Sequence, residues 1–139
     1  SKNKTLSAAS HFDIMEVHWI CLQGEVETAY ERLTKEFAVD QYHDLTEELH
    51  SSILRIRERV QQAYEFLKVK RNRMAYREEI LEADTIFNSA ELLAKKGEMA
   101  IMKNDSREAV TCFAKASELI PNNKTFKDGL QRARGIGVN

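Results

Sequence analysis

Proline occurs once in this 139-residue sequence, glycine five times, cysteine twice and tryptophan once. With so few chain-breaking residues, and almost no alternation of β-branched with polar residues, local propensity excludes a sheet protein and favours helices throughout. The two cysteines, Cys21 and Cys112, stand far apart with neither a pairing nor a metal-ligand spacing. That excludes a disulfide framework and points to a reducing compartment, the cytoplasm. No apolar run approaches the roughly 18 residues of a membrane span, and Ser1-Lys2-Asn3-Lys4 is not followed by a signal-peptide core. Neither sign of charge dominates: 21 basic residues against 22 acidic give a net charge of −1, so nothing draws the whole chain to nucleic acid or an anionic membrane.

Catalytic arrangements are also missing. No Ser-His-Asp, Cys-His or phosphate-loop pattern is recognisable, and the glutamates fall on hydrophilic helix faces without a shared pocket. An enzyme is not expected, nor a cofactor. His43 and His50 lack the Cys or carboxylate pair that would complete a metal set, so no metal is expected either.

What is present is helical periodicity. The sequence is 42% hydrophobic and 31% charged, a balance that suits folded helices with solvated outer faces better than a disordered chain. Val26, Ala29, Tyr30, Leu33 and Phe37 form one apolar stripe over about 23–36, and Leu49, Ile53, Ile56, Val60, Ala63, Tyr64 and Leu67 form a longer one. These two predict an antiparallel hairpin. Asp44-Leu45-Thr46-Glu47 supplies a capping signal between them. A further amphipathic stretch runs from about Val69 to Leu81. Asn88-Ser89-Ala90-Glu91 and Asp105-Ser106-Arg107-Glu108 offer two more helix starts, and 125–134 a last helix that Gly135 breaks.

Four blocks give the first half a family likeness: Phe12 to Val17; Ala29-Tyr30-Glu31-Arg32-Leu33 through Phe37; Val60-Gln61-Gln62-Ala63-Tyr64-Glu65-Phe66-Leu67; and Arg73 with Ala75-Tyr76. Their order and spacing resemble the J-domain, the co-chaperone module. Glu16 stands where that family has glycine, and Ala38-Val39-Asp40 where it has His-Pro-Asp. In the second half, Gly97, Ala109, Phe113, Ala116, Leu119 and Pro121 fall at the positions of a tetratricopeptide repeat of about 34 residues, from Ala90 to Asn123, with Leu93 replacing the preferred tryptophan and Ser106 the tyrosine. The expected organisation is a flexible 1–10, a J-domain-like bundle over 11–83, and a tetratricopeptide-like hairpin with a final helix over 84–139. One repeat cannot bury its own apolar face, so it leans on the J-like helices, the final helix or further repeats. The start at Ser1 and the stop after one repeat suggest a piece of a longer protein.

J-domains engage a heat-shock ATPase chaperone through the His-Pro-Asp loop and a basic second helix, and trigger its hydrolysis. Ala38 has no imidazole and Val39 no ring to fix φ near −65°. The second helix is acidic on balance, with Glu25, Glu27, Glu31 and Glu36 against Arg32 and Lys35, and so would repel an acidic partner surface. Loss of stimulation is the expectation; the alternative is a regulatory co-chaperone that keeps a weak contact through Asp40 and Arg73. A protein partner, peptide or helix, is expected instead. Trp19, Ile20 and Leu22, beside Cys21, are one candidate contact unless the chain itself covers them. The other is the groove a tetratricopeptide hairpin implies, with Leu93, Lys96, Ala100 and Lys103. Lys68, Lys70, Arg71, Arg73 and Arg77 are a candidate basic patch for phosphates, although Glu78, Glu79 and Glu82 follow at ion-pairing spacing and nucleic acid is not expected.

Overall fold

The computed structural model describes residues 10–38 and 45–136, and among these it is all-helical, with seven helices and no strand. The chain divides into two compact units between Tyr76 and Arg77.

The N-terminal unit opens with α1 (His11–Met15). Ser10 starts it with a reciprocal capping box: its hydroxyl accepts from the Asp13 amide, and the Asp13 carboxylate accepts from the Ser10 amide. Glu16 ends it in the left-handed region at φ 56°, the conformation for which glycine is the usual residue. Its carboxylate accepts from Arg32 at 2.9 Å.

α2 (Gln23–Glu36) and α3 (Glu47–Leu67) form the antiparallel hairpin that the two stripes predict. The direction follows from the partners: the Tyr64 hydroxyl donates to Glu27 at 2.7 Å, the Tyr30 hydroxyl donates to Gln61, and the Tyr30 and Tyr64 rings stack at 3.8 Å. Phe12 and Met15 from α1, Val26, Ala29 and Leu33 from α2, and Val60, Ala63 and Leu67 from α3 are buried. Each large apolar side chain withdrawn from water in this way contributes about 1.5–3 kcal/mol. α3 starts at Thr46, whose hydroxyl accepts from the Leu49 amide; the expected cap at Asp44 lies outside the described residues.

α4 (Lys70–Ile80) turns back against the end of α3, where helices leave carbonyls without intrahelical donors. Asn72 donates to the Phe66 carbonyl at 3.0 Å and Arg73 to the Leu67 carbonyl at 2.8 Å. The Tyr76 hydroxyl accepts from the His11 amide, and its ring meets those of His11, Phe12 and Phe66. Arg73 and Tyr76 thus hold the ends of α1, α3 and α4 together.

The unit boundary lies inside α4, ahead of the boundary expected after residue 83. Arg77 gives the reason. It is 2% exposed and donates at 2.6 Å to Glu118, itself 4% exposed, so the last turn of α4 belongs with the C-terminal unit.

That unit continues with α5 (Ala83–Met102), α6 (Ser106–Leu119) and α7 (Lys124–Arg134). α5 starts at Glu82, so the capping signal at Asn88-Ser89 lies unused inside the helix. Ile86 and Ala90 are both buried one turn apart, and continuing the helix through Asn88 keeps them on one face. Asn104 at φ 63° turns the chain, and the Asp105 carboxylate caps α6 by accepting from the Glu108 amide. Phe113 is wholly buried between two glycines, Gly97 on α5 and Gly129 on α7. Ser106 donates to the Ala133 carbonyl, and Arg132 pairs with Glu98 across α5 and α7. α7 thus packs against both α5 and α6.

Candidate interaction surfaces

Of the degenerate signature, Ala38 is half-buried and its amide donates to the Lys35 carbonyl; Val39 and Asp40 lie outside the described residues, as does His43. Charges on α2 are engaged within the unit: Glu25 accepts from the Leu22 amide, Glu27 accepts from Tyr64, and Arg32 pairs with Glu16. The bond to Glu27, followed by partial burial and the carboxylate's charge, pushes the Tyr64 phenol up to about 12 from 10.0. A raised phenol pKa means the folded chain holds this proton more tightly than the unfolded one. Its stabilisation is complete below pH 10 and lost as pH climbs from 10 towards 12. Ultraviolet phenolate titration should show a tyrosine step near 12. Tyr64→Phe should remove that step, and Glu27→Gln should return it towards 10. A late step that survives Tyr64→Phe would disprove the assignment.

The apolar run after α1 is largely folded inwards. Cys21 is buried, Trp19, Ile20 and Leu22 are half-buried, and the His18 ring stacks on Trp19 while its Nδ1 accepts from the Ile20 amide.

A larger apolar surface lies on α3. The sequence stripe predicts seven packed residues, yet only Val60, Ala63 and Leu67 are buried, while Leu49 is 53% exposed, Leu54 45% and Ile56 37%. The reason is length: α3 has 21 residues and its partner α2 has 14, so the first turns of α3 run past the end of α2. Two grooves meet at Leu33, Phe37 and Val60. One, of about 400 Å³, adds Tyr30, Leu54 and Arg57; the other, of about 220 Å³, adds Ile14, Ile56 and Arg59.

In the C-terminal unit, Lys96, Ala100 and Lys103 line a shallow groove of about 210 Å³ with Met99, Asp105 and Glu108. Leu93 lies half-buried outside it. Leu92, Met99 and Met102 are exposed along the same helix, a run of flexible apolar contacts that the repeat motif does not mark. Cys112, behind Glu108, is buried and its thiol is pushed up to about 11 by burial and the Glu108 carboxylate, which leaves it a poor nucleophile. Cys21 is likewise a free, buried thiol.

The five basic residues from Lys68 to Arg77 do not make one surface. Arg73 and Arg77 are buried in structural roles, and Lys68 pairs with Glu65 at 2.7 Å, which leaves Lys70 and Arg71 exposed. Among the described residues no group of three or more His, Cys, Asp or Glu side chains is placed to hold a metal ion, and no helix is long and apolar enough to cross a membrane. Compared with protein-family models, curated proteins and solved structures, the chain gives no significant match.

Proposed function

We propose that this chain is a non-catalytic protein-interaction module, a divergent J-domain-like bundle followed by a tetratricopeptide-like hairpin, which serves as a cytoplasmic adaptor. The observation that carries this reading is the placement of apolar side chains on outward helix faces beside grooves, at Leu49, Leu54 and Ile56 on α3 and at Leu92, Met99 and Met102 on α5. Large apolar side chains grouped in this way are the material of protein interfaces. The residues that match the J-domain pattern outside the signature have internal work: Tyr64 binds Glu27, Arg73 caps α3 and Tyr76 holds α1. A chain that keeps those packing residues while presenting Ala38-Val39-Asp40 in place of His-Pro-Asp retains a scaffold without the trigger.

A single-turnover ATPase assay with a heat-shock chaperone tests the reading. The chain should leave hydrolysis at its basal rate under conditions in which an authentic J-domain accelerates it, and Ala38→His/Val39→Pro should raise it. Clear stimulation by the unaltered chain would make it a co-chaperone and end the adaptor reading.

A further inference from the structure

Tyr76 and Arg77 are neighbours on α4, yet each is fastened in a different unit. The Tyr76 hydroxyl accepts from the His11 amide at 3.0 Å, and Arg73, one turn earlier, donates to the Leu67 carbonyl, so residues 70–76 tie α4 to α1 and α3. Arg77 donates instead to Glu118 on α6, and with it residues 77–80, the last turn of α4, belong to the C-terminal unit.

Neither stretch makes a helix by itself. An α-helix bonds each amide to the carbonyl four residues back, so the amides of residues 77–80 donate to the carbonyls of residues 73–76. Without that turn, residues 70–76 span two turns, far below the roughly 12–15 residues at which an isolated helix persists in water. The last turn has little to hold it in place on its own account. Glu78 and Glu79 are exposed acids at a helix end whose dipole favours cations, Ile80 is half-buried, and Arg77 is the buried residue of the four.

We propose that α4 is a strap through which the C-terminal unit stabilises the N-terminal one. The Arg77–Glu118 bond fixes the last turn, the amides of that turn complete the helix behind it, and the completed helix holds Arg73 and Tyr76 at their partners on α3 and α1. The dependence runs in this direction because α5, α6 and α7 pack on one another without residues 70–76. Whatever loosens α6 around Glu118 loosens the anchoring of α1, and whatever tightens α6, a bound partner included, tightens both.

The test uses the full chain. Trp19 is its only tryptophan and lies in the N-terminal unit, so its fluorescence in urea follows that unit alone. Glu118→Ala, made in the other unit, should lower the Trp19 midpoint by at least about 0.5 M, and Arg77→Met/Glu118→Leu should restore it. Amide exchange should follow the same route: the His11 amide, which Tyr76 accepts, should exchange at least about tenfold faster in Glu118→Ala. Two glycines inserted between Tyr76 and Arg77 cut the strap, and in that background Glu118→Ala should move the Trp19 midpoint no further. If Glu118→Ala leaves the C-terminal unit unfolded without urea, Glu118→Gln, which keeps a neutral acceptor, gives the same comparison with a smaller shift. A Trp19 midpoint that stays in place while the substitution lowers the helix signal by circular dichroism would overturn the proposal. So would a shift that survives the two glycines undiminished, because the effect would then travel by another route.

Discussion

Glu118→Ala should destabilise the C-terminal unit by about 3–5 kcal/mol, the cost of leaving one member of a buried ion pair without the other. Arg77 is 2% exposed and donates at 2.6 Å to Glu118, so truncating the acid removes a charged acceptor from a guanidinium that water does not reach. The pair itself is a modest source of stability, because both charges lose their hydration on folding. Replacing both partners by apolar residues, Arg77→Met/Glu118→Leu, should therefore recover most of what either single change loses. Urea denaturation followed by circular dichroism reads all of these variants. A loss below about 1 kcal/mol in Glu118→Ala would show that the guanidinium reaches solvent or another acceptor. Equal losses in the single and double variants would show that packing volume, not charge, is at stake.

Gly129→Ala should cost about 2 kcal/mol although alanine is the better helix former by about 1 kcal/mol. A Cβ at position 129 would stand 2.3 Å from the ring of Phe113, and one at position 97 would stand 2.6 Å from the opposite edge of the same ring. The ring has no retreat, since each glycine marks the place where its helix comes close on that side. Phe113→Leu alone should also destabilise, by opening a cavity. Combined with Gly129→Ala it should lose at least about 1 kcal/mol less than the sum of the two, because the smaller side chain vacates the space the new methyl needs. Strict additivity in the urea midpoints would rule out the direct clash. A more stable Gly129→Ala would place Phe113 elsewhere altogether.

Periodicity carried most of the helices because it is written locally. The stripes at Val26 to Leu33 and Val60 to Leu67, and the cap at Asp105, correspond to α2, the second half of α3 and the start of α6. Where the expectation missed, the deciding partner lay far away in sequence. Nothing near Arg77 distinguishes a buried arginine from a surface one, and its partner Glu118 is 41 residues on. The stripe of α3 cannot announce where α2 stops, and by itself predicts packing over its whole length. The unused signal at Asn88-Ser89 lost to the burial of Ile86. The Ser10 capping box, by contrast, was legible as Ser-x-x-Asp and escaped notice in a short helix. Glu16 adopts the left-handed conformation that usually falls to glycine, φ 56°, with its side chain turned to Arg32. Of the candidate surfaces, the resemblance to a repeat groups Lys96, Ala100 and Lys103 with Leu93, which lies outside their groove, whereas the exposed first turns of α3 emerge only once the length of α2 is known.

The buried pair at Arg77 and Glu118 also decides what can be transplanted. The stretch that resembles a repeat runs from Ala90 to Asn123, and a graft of it would carry Glu118 and leave Arg77 behind. A graft beginning at α5 has the same defect. The portable unit starts in the last turn of α4, one helix upstream of where any repeat motif would begin it.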